Sequence, residues 1–232
     1  FPITSSASIH TENALRKNWN EILDFDQYTF VLGNPPFYGA RWQNSEQKAD
    51  TSRIWSGVKG SGELDYVTNW FLLTAKAIYK TGARAALVST NSISQGEQPA
   101  IVWSKIWELK IKIDFAHRSF TWSNESSGKA AVTCVIIGFS ADTRESEKKL
   151  WVYQKTSGAA QITHPSNINA YLLDGPNILV SSRKKPIRSG TPLLENGSMP
   201  NDGGFLSNIS IVISLSLSIF VCKFIKFIFK IF

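Results

Sequence analysis

The chain has 232 residues, of which 43% are hydrophobic and 19% are charged, so its composition allows a globular protein with a sizeable core. Its two cysteines form no disulfide framework, and its three histidines show no metal-ligand spacing. The net charge is +7, but residues 209–232 supply three lysines and no acid, which leaves 22 basic against 18 acidic residues before them. This mild excess is compatible with a phosphate-contacting surface and is far smaller than that of a polybasic arm.

One cysteine and the first residues bear on the cellular compartment. Cys134 lies in an apolar run and is predicted to be a buried thiol, which fits a reducing cytoplasm. The chain starts without a basic segment or a long apolar core, so no secretory signal is predicted.

Hydrophobic periodicity predicts alternating strands and helices in the first 154 residues, and therefore an α/β sheet. In chain order we expect a buried strand at 27–33, a helix at 63–80, a strand at 84–89, a helix from about 100 to 109, strands at 111–116 and 131–139, and an edge strand at 150–154. The run at 131–139 is uninterrupted and rich in β-branched residues, which indicates a central strand.

The two predicted helices each carry an apolar face. In the first, the inward residues follow helical spacing and are Leu64, Val67, Phe71, Thr74 and Ile78. Gly82 stands where a C-terminal cap belongs. In the second helix the residues expected to face inward are Ile101, Ile106, Trp107 and Leu109.

Residues 155–208 differ in composition, being rich in Asn, Ser, Gly and Pro with a basic cluster at 183–188. We interpret this segment as a linker and the start of another module, and an irregular surface segment is an equal alternative. Residues 209–232 form a hydrophobic tail whose first 14 residues are too few for the roughly 20 that a membrane-spanning helix needs. Translation out of frame is the simplest explanation of this tail, and a membrane anchor is the alternative.

The feature that points to chemistry is Asn34-Pro35-Pro36-Phe37, which directly follows an apolar run. Two adjacent prolines lack backbone N–H groups and fix φ, so the chain must leave its strand here. A stiff turn of this kind presents a side-chain amide and a prolyl carbonyl, with an aromatic ring beside them. This suits the binding of an exocyclic amino group of a flat base, although Asn-Pro is also an ordinary turn signal.

These four residues and further blocks resemble the MmeI-like class of fused restriction–modification enzymes, which carry an adenine DNA methyltransferase domain. The similarity runs from about residue 8 to about residue 206. The matching blocks are Asn13–Leu15 with Trp19, Asp26–Tyr28, Gly33–Phe37, Gln47–Asp50, Leu64–Val67, Ser89–Glu97, Phe115–Arg118, Lys129–Val132, Val135–Phe139 and Asn201–Gly204.

The resemblance implies a class I, Rossmann-like methyltransferase sheet and transfer of a methyl group from S-adenosylmethionine to adenine N6 in double-stranded DNA. It assigns the catalytic motif to Asn34, Pro35, Pro36 and Phe37. It assigns the stacking contact with a flipped adenine to Phe37. A later motif of the family supplies a second aromatic, which we assign to Phe120, with Trp122 as the alternative. Ordinary packing would explain these two later aromatics without any ligand.

For the methyl donor, the resemblance places Asp65 and Tyr66 at a motif that borders the donor pocket. A carboxylate at the start of a helix is also favoured by the helix dipole without any ligand. Asn91 ends a predicted strand together with Ser89 and Ser92, where open α/β sheets place their ligands.

The family's glycine-rich donor turn precedes the Asn-Pro-Pro motif, but here no glycine occurs before Gly33. We therefore expect a partial sheet that lacks its first strands, and little activity from this chain without the N-terminal half of the methyltransferase domain. The expected organisation is the C-terminal part of the catalytic domain at 1–154, a linker and the start of a target-recognition region at 155–208, and the aberrant tail at 209–232.

Three alternatives stay open at this point. A chain that binds nucleic acid without catalysis would use the same basic and aromatic residues. A cytosine-N4 methyltransferase shares the chemistry, but usually has Ser-Pro-Pro in place of Asn-Pro-Pro. A tail-anchored membrane protein would depend only on residues 209–232.

Overall fold

The computed structural model describes residues 9–23, 25, 30–122, 132–141, 147–154 and 158–182. All of them belong to the first of two compact units, which comprise residues 1–182 and 183–232. The predicted tail, the basic cluster at 183–188 and the first part of the predicted strand at 27–33 lie outside the described residues. In the part described, no helix is long and apolar enough to cross a membrane.

The described elements include three α-helices and six strands, and the last four strands follow one another with no described helix between them. Helices α1 (Ser45–Ile54), α2 (Thr68–Ala77) and α3 (Gln98–Glu108) accompany six strands. The strands are β1 (Phe30–Gly33), β2 (Arg84–Thr90), β3 (Lys112–Trp122), β4 (Val132–Ser140), β5 (Lys149–Tyr153) and β6 (Ala160–Thr163).

The six strands form one mixed sheet in the order β1-β2-β4-β3-β5-β6. Strands β1 and β2 are parallel, β4 is antiparallel to both β2 and β3, and β5 is parallel to β3. Strands β1, β2, β3 and β5 therefore point in one direction, and their carboxyl ends lie at one edge of the sheet. The protein is an α/β protein, as the sequence predicts.

One face of the sheet is packed against helices. Its residues alternate along β2 and β4, and Leu87 of β2 pairs with Ile137 of β4 with both side chains buried. The ring of Phe71 in α2 stacks on that of Phe139 in β4, with centroids 5.6 Å apart. Burial of this face removes apolar area from water and so stabilises the unit.

The opposite face is more open and carries aromatic side chains. The ring of Phe115 lies directly over Gly138 of the neighbouring strand, in the space that a Cβ would occupy. At the outer strand of the sheet, Phe30 is 71% exposed and Leu32 is 74% exposed. Parallel strands are usually covered on both faces, so this exposure at β1 is unusual.

Three sequence predictions are wrong in detail. The strand before the proline pair is at the sheet edge and half open, not buried, because its burial depends on neighbours that periodicity does not reveal. Strand β5 is not the edge, since β6 pairs outside it. Gly82 does not cap α2, because the helix ends at Ala77 and Lys80 takes the left-handed conformation with a φ of 60°.

Other predictions are confirmed by the structure. The predicted stripe of the first helix is buried along its whole length, although only its central part is helical, in α2. Strand β4 is central, and the thiol of Cys134 is buried, which raises its pKa. On α3, Ile106 faces inward as expected, together with the fully buried Val102 and Trp103. The other predicted residues, Ile101, Trp107 and Leu109, are only partly buried.

Helix α1 was not predicted as a helix, yet its start carries a recognisable signal. Asn44 accepts a hydrogen bond from the backbone of Gln47, and the Gln47 side chain accepts one from the backbone of Asn44. This reciprocal pair is a capping box. The helix itself has little apolar character, which explains why hydrophobic periodicity does not reveal it.

Candidate functional site

The Asn-Pro-Pro segment begins where β1 ends, at the carboxyl edge of the sheet. Gly33 is the last residue of β1 and pairs with Leu87, while β2 continues as far as Thr90. A Cβ on Gly33 would lie 3.1 Å from a methyl group of Leu87, so the absent side chain permits this close approach. Ligands of open α/β sheets bind at this edge.

The four motif residues differ in exposure. Asn34 and Pro36 are exposed, Pro35 is buried, and Phe37 is half-buried against the core. Among the described residues, neither the side-chain amide of Asn34 nor the carbonyl of Pro35 has a hydrogen-bond partner. The turn therefore leaves the Asn34 amide exposed and unpaired, and the carbonyl of the buried Pro35 unpaired, within the described part of the chain.

Asp65 fastens this loop to the end of β2. One carboxylate oxygen accepts a hydrogen bond from the backbone N–H of Ala40, with 3.3 Å between nitrogen and oxygen. The other accepts a hydrogen bond from the hydroxyl of Thr90 at 3.2 Å. Asp65 thus joins the segment after Phe37 to the last residue of β2, and it sits in the turn before α2 rather than inside the helix.

Tyr66 makes a second connection to the same loop. Its backbone N–H donates to the carbonyl of Tyr38 at 2.8 Å, and the two rings meet edge to face with centroids 6.3 Å apart. The Tyr66 side chain is buried, and its hydroxyl donates to Asp50 at 3.2 Å. Burial, with the charge of Asp50 beside it, raises the pKa of Tyr66 to about 12.

Asp50 is a buried carboxylate at the centre of a polar cluster, which we call the Asp50 cluster. It accepts hydrogen bonds from Arg16, Arg53, Asn13 and Tyr66. Burial alone would raise the pKa of Asp50, but the hydrogen bonds from Arg16 and Tyr66 outweigh it and hold the pKa below its ordinary value. The cluster joins the N-terminal segment, α1 and the turn before α2.

Three residues at the end of β2 were predicted to line a pocket, and one of them, Ser92, is half-buried with its hydroxyl donating to that of Thr90 at 3.4 Å. Asn91 is half-buried and its amide contacts Gln95 at 3.3 Å, so it lies at the edge where a ligand can reach it. Ser89 is wholly buried on the helix-covered face, and its hydroxyl has no hydrogen-bond partner among the described residues. Ser89 therefore does not line an open pocket.

Phe120 is separated from Asn34 across the strands of the sheet. It pairs with Cys134 of β4, which in turn pairs with Thr90 of β2. Strand β3 is three positions from β1, so the two backbones are roughly 14 Å apart at about 4.8 Å per strand. The structure therefore brings Asn34, Phe37, Asp65, Tyr66 and Asn91 to one region and leaves Phe120 to the side.

The ring of Phe120 belongs to an aromatic cluster on the open face. Its centroid is 5.6 Å from that of Tyr153 and 6.1 Å from that of Trp122. His117 stacks on Trp151 with centroids 4.4 Å apart, and its Nδ1 lies 2.8 Å from the Tyr153 hydroxyl. Burial lowers the pKa of His117.

Sequence reasoning missed two residues beside the site. Trp42 is 83% exposed and Tyr38 is 44% exposed, and both lie within a few residues of the proline pair. An available signal was the proximity of Tyr38 and of Arg41-Trp42 to the two prolines in the sequence. Within the described ranges no group of histidine, cysteine or acidic residues is arranged to hold a metal ion.

Residues 1–152 match the family model described as the DNA-methyltransferase domain of MmeI. The chain is 42% identical over 208 residues to DNA methyltransferase A of Bacillus subtilis (strain 168), an alignment that covers 89% of this chain and 23% of that protein.

A solved structure agrees with the sequence comparison. The Type IIL restriction-modification enzyme MmeI, solved in complex with DNA, superposes with a TM-score of 0.76 at 42% identity. This superposition covers 81% of the present chain and 25% of that chain. The chain therefore spans about a quarter of the length of the relatives that it matches.

Proposed function

Because the chain belongs to the family of MmeI-type DNA methyltransferases, we propose that it is part of a fused restriction–modification enzyme that methylates adenine N6 in double-stranded DNA. One observation carries the proposal. The exposed amide of Asn34 lies at the carboxyl edge of the sheet with no hydrogen-bond partner among the residues that the structure describes, and the Pro35 carbonyl follows it in the chain.

The chemistry explains why an amide and a carbonyl are needed. The lone pair of adenine N6 is delocalised into the ring, so the amino group is a poor nucleophile. Asn34 Oδ1 and the Pro35 carbonyl oxygen would each accept one N–H of this group and localise the lone pair on nitrogen. The two prolines hold both acceptors in place before the base arrives, which is electrostatic preorganisation and requires no strong base.

We call the Asn34 amide and the Pro35 carbonyl the corner. The adenine must leave the duplex before its N6 can reach the corner. Phe37 follows the two prolines and is half-buried, so its ring is fixed on one side by the core. We assign it the stacking contact with the flipped base, a contact of about 1–3 kcal/mol. Phe120 is our proposed second aromatic, although it would have to act from β3, across the sheet from Asn34.

We propose S-adenosylmethionine as the methyl donor, which supplies an electrophilic methyl group when bound. The amide of Asn91 fits a donor-binding role, because it is half-buried at the end of β2. Asp65 and Tyr66 fit a bordering role only, since their side-chain oxygens already bind Ala40, Thr90 and Asp50. Their contribution is to keep the loop in position next to the donor.

We further propose that a segment carrying the donor-binding glycine turn pairs with β1. Phe30 and Leu32 are large apolar side chains exposed on a parallel edge strand, and an added strand and helix would cover them. On this basis we expect little methyl transfer from the 232-residue chain alone. With DNA as the proposed substrate and Cys134 as a free buried thiol, we place the protein in the cytoplasm.

Labelled methyl transfer tests the proposal. The chain is mixed with duplex DNA of many sequences and labelled donor, alone and together with the preceding half of a relative's methyltransferase domain, and the methylated nucleosides are identified by mass spectrometry. We expect N6-methyladenine only in the combined sample. Asn34→Ala should lower the rate about 100-fold, by analogy with the loss of one preorganised hydrogen bond in other enzymes.

Asn20→Ala is the matched control, because Asn20 is exposed on a short helix away from the corner. N4-methylcytosine as the product would favour the cytosine alternative. DNA binding without any methyl transfer in the combined sample would favour a non-catalytic role and overturn the proposal.

A further inference from the structure

Trp42 is the most exposed tryptophan side chain in the described part of the chain, with 83% of its surface open. It ends a short 3-10 helix, Ala40–Trp42, that begins three residues after Phe37. Tryptophan is enriched among the interface residues that contribute most to binding energy, which makes this exposed indole a candidate contact for a partner.

The backbone that carries Trp42 is anchored on both sides. The Trp42 N–H donates to the carbonyl of Gly39 at 2.9 Å, and Asp65 holds Ala40. On the other side Gln43 is buried; its amide donates to the Leu64 carbonyl at 2.9 Å and accepts from Thr51 at 3.1 Å. The indole is therefore presented from a fixed segment, so little backbone entropy is lost when it binds.

Charge identifies the kind of partner. Arg41 precedes Trp42, is exposed, and makes no ion pair or hydrogen bond within the described residues. A guanidinium beside an indole suits a nucleic acid, in which phosphate and stacked bases alternate. The exposed patch of Phe30 and Leu32 differs, because it is apolar and lies along a strand, as expected for a protein partner.

We propose that Trp42 is a wedge that enters the duplex next to the flipped adenine, while Arg41 binds an adjacent phosphate. This inference rests on the proposed function. A base that leaves the stack opens a gap, and an inserted apolar side chain offsets the lost stacking. Asp65 connects the Trp42 segment to the same edge of the sheet as Asn34, so corner and wedge would act on one nucleotide step.

The test measures binding of the 232-residue chain to two labelled duplexes by fluorescence anisotropy. The duplexes have the same sequence, but one contains a single abasic site with 2-aminopurine beside it. Wild-type protein should prefer the abasic duplex and quench the 2-aminopurine as the indole stacks. Trp42→Ala should bind the abasic duplex about tenfold more weakly, without preference and without quenching. Trp42→Phe should retain part of both effects.

Tyr79→Ala is the control, since Tyr79 is also an exposed aromatic but follows α2 at the opposite edge of the sheet. Thermal unfolding followed by circular dichroism confirms that each variant is folded. If Trp42→Ala keeps the wild-type affinity, preference and quenching, the wedge is refuted while the proposed function stands. If the wild-type chain binds neither duplex, the wedge is refuted, whereas the proposed function is judged separately by methyl transfer in the combined sample.

Discussion

Two polar clusters of this molecule lie close together and differ in one respect. In the Asp50 cluster, a buried carboxylate is paired with four side chains, including Arg16 and Tyr66. At the corner, the amide of Asn34 is exposed and has no partner among the described residues. A fully paired polar group stabilises a fold, whereas a fixed but unpaired one is available for a ligand.

The neighbours Asp65 and Tyr66 connect these two clusters. Tyr66 donates its hydroxyl to Asp50 and its backbone N–H to Tyr38, while Asp65 holds Ala40 against Thr90. Through these hydrogen bonds, the Asp50 cluster also holds the loop that carries Asn34 in its geometry. We therefore expect substitutions in the Asp50 cluster to lower the free energy of unfolding, and substitutions at Asn34 to lower only the rate of methyl transfer.

The largest expected effect on stability is that of Asp50→Ala. It leaves the buried hydroxyl of Tyr66 without an acceptor, which should reduce the free energy of unfolding by about 2 kcal/mol. Arg16 and Arg53 are half-exposed, so water can solvate their guanidinium groups once Asp50 is removed. Their lost ion pairs therefore add little to the destabilisation. Urea unfolding at pH 7 measures the difference. A loss below about 0.5 kcal/mol, the usual range of surface substitutions, would mean that the cluster is not structural.

The Asp50 carboxylate also predicts that the free energy of unfolding depends on pH. The pKa of Asp50 is lower in the folded chain than its ordinary value of about 3.9, so its contribution is complete above that value and is lost as the pH falls through the folded pKa. The stability difference between wild type and Asp50→Asn should therefore shrink between pH 5 and about pH 3. Urea unfolding along this pH series checks it, and a constant difference would contradict the assignment.

A smaller effect is expected for the hydrogen bond between Asp65 and Thr90. Asp65→Ala and Thr90→Val each remove it, so the double variant should lose less stability than the two single losses combined. We expect a coupling energy of about 1 kcal/mol from a double-mutant cycle of urea unfolding. Additive losses would show that Asp65 does not tie the corner loop to β2.

The smallest effect on stability should come from Asn34→Ala. Because the amide is exposed and unpaired, we expect a change within about 0.5 kcal/mol in the free energy of unfolding. Differential scanning calorimetry beside Asn20→Ala provides the comparison. A loss as large as that of Asp50→Ala would break the distinction between the two clusters.

The features of the fold that depend on local sequence patterns could be predicted from the sequence. The stripe that contains Val67, Phe71 and Ile78 follows helical spacing, and all three residues are buried in the structure. The apolar run of β4 indicates a central strand because a strand buried on both faces needs no polar alternation. The rigid corner at Asn34 follows from the chemistry of proline alone.

Contacts between residues distant in the sequence could not be predicted. Asp65 and Thr90 are 25 residues apart, and no local rule pairs them. The exposure of Phe30 depends on which strands lie beside β1, and the position of Phe120 depends on the insertion of β4 between β2 and β3. These features arise from the order of the strands, which periodicity does not determine.

The most direct test of the central claim is a crystal structure of the complete methyltransferase domain with a duplex containing its target adenine. The account predicts that adenine N6 lies within about 3.2 Å of both Asn34 Oδ1 and the Pro35 carbonyl oxygen. An extruded base whose amino group contacts other residues, with Asn34 turned toward the protein, would contradict it.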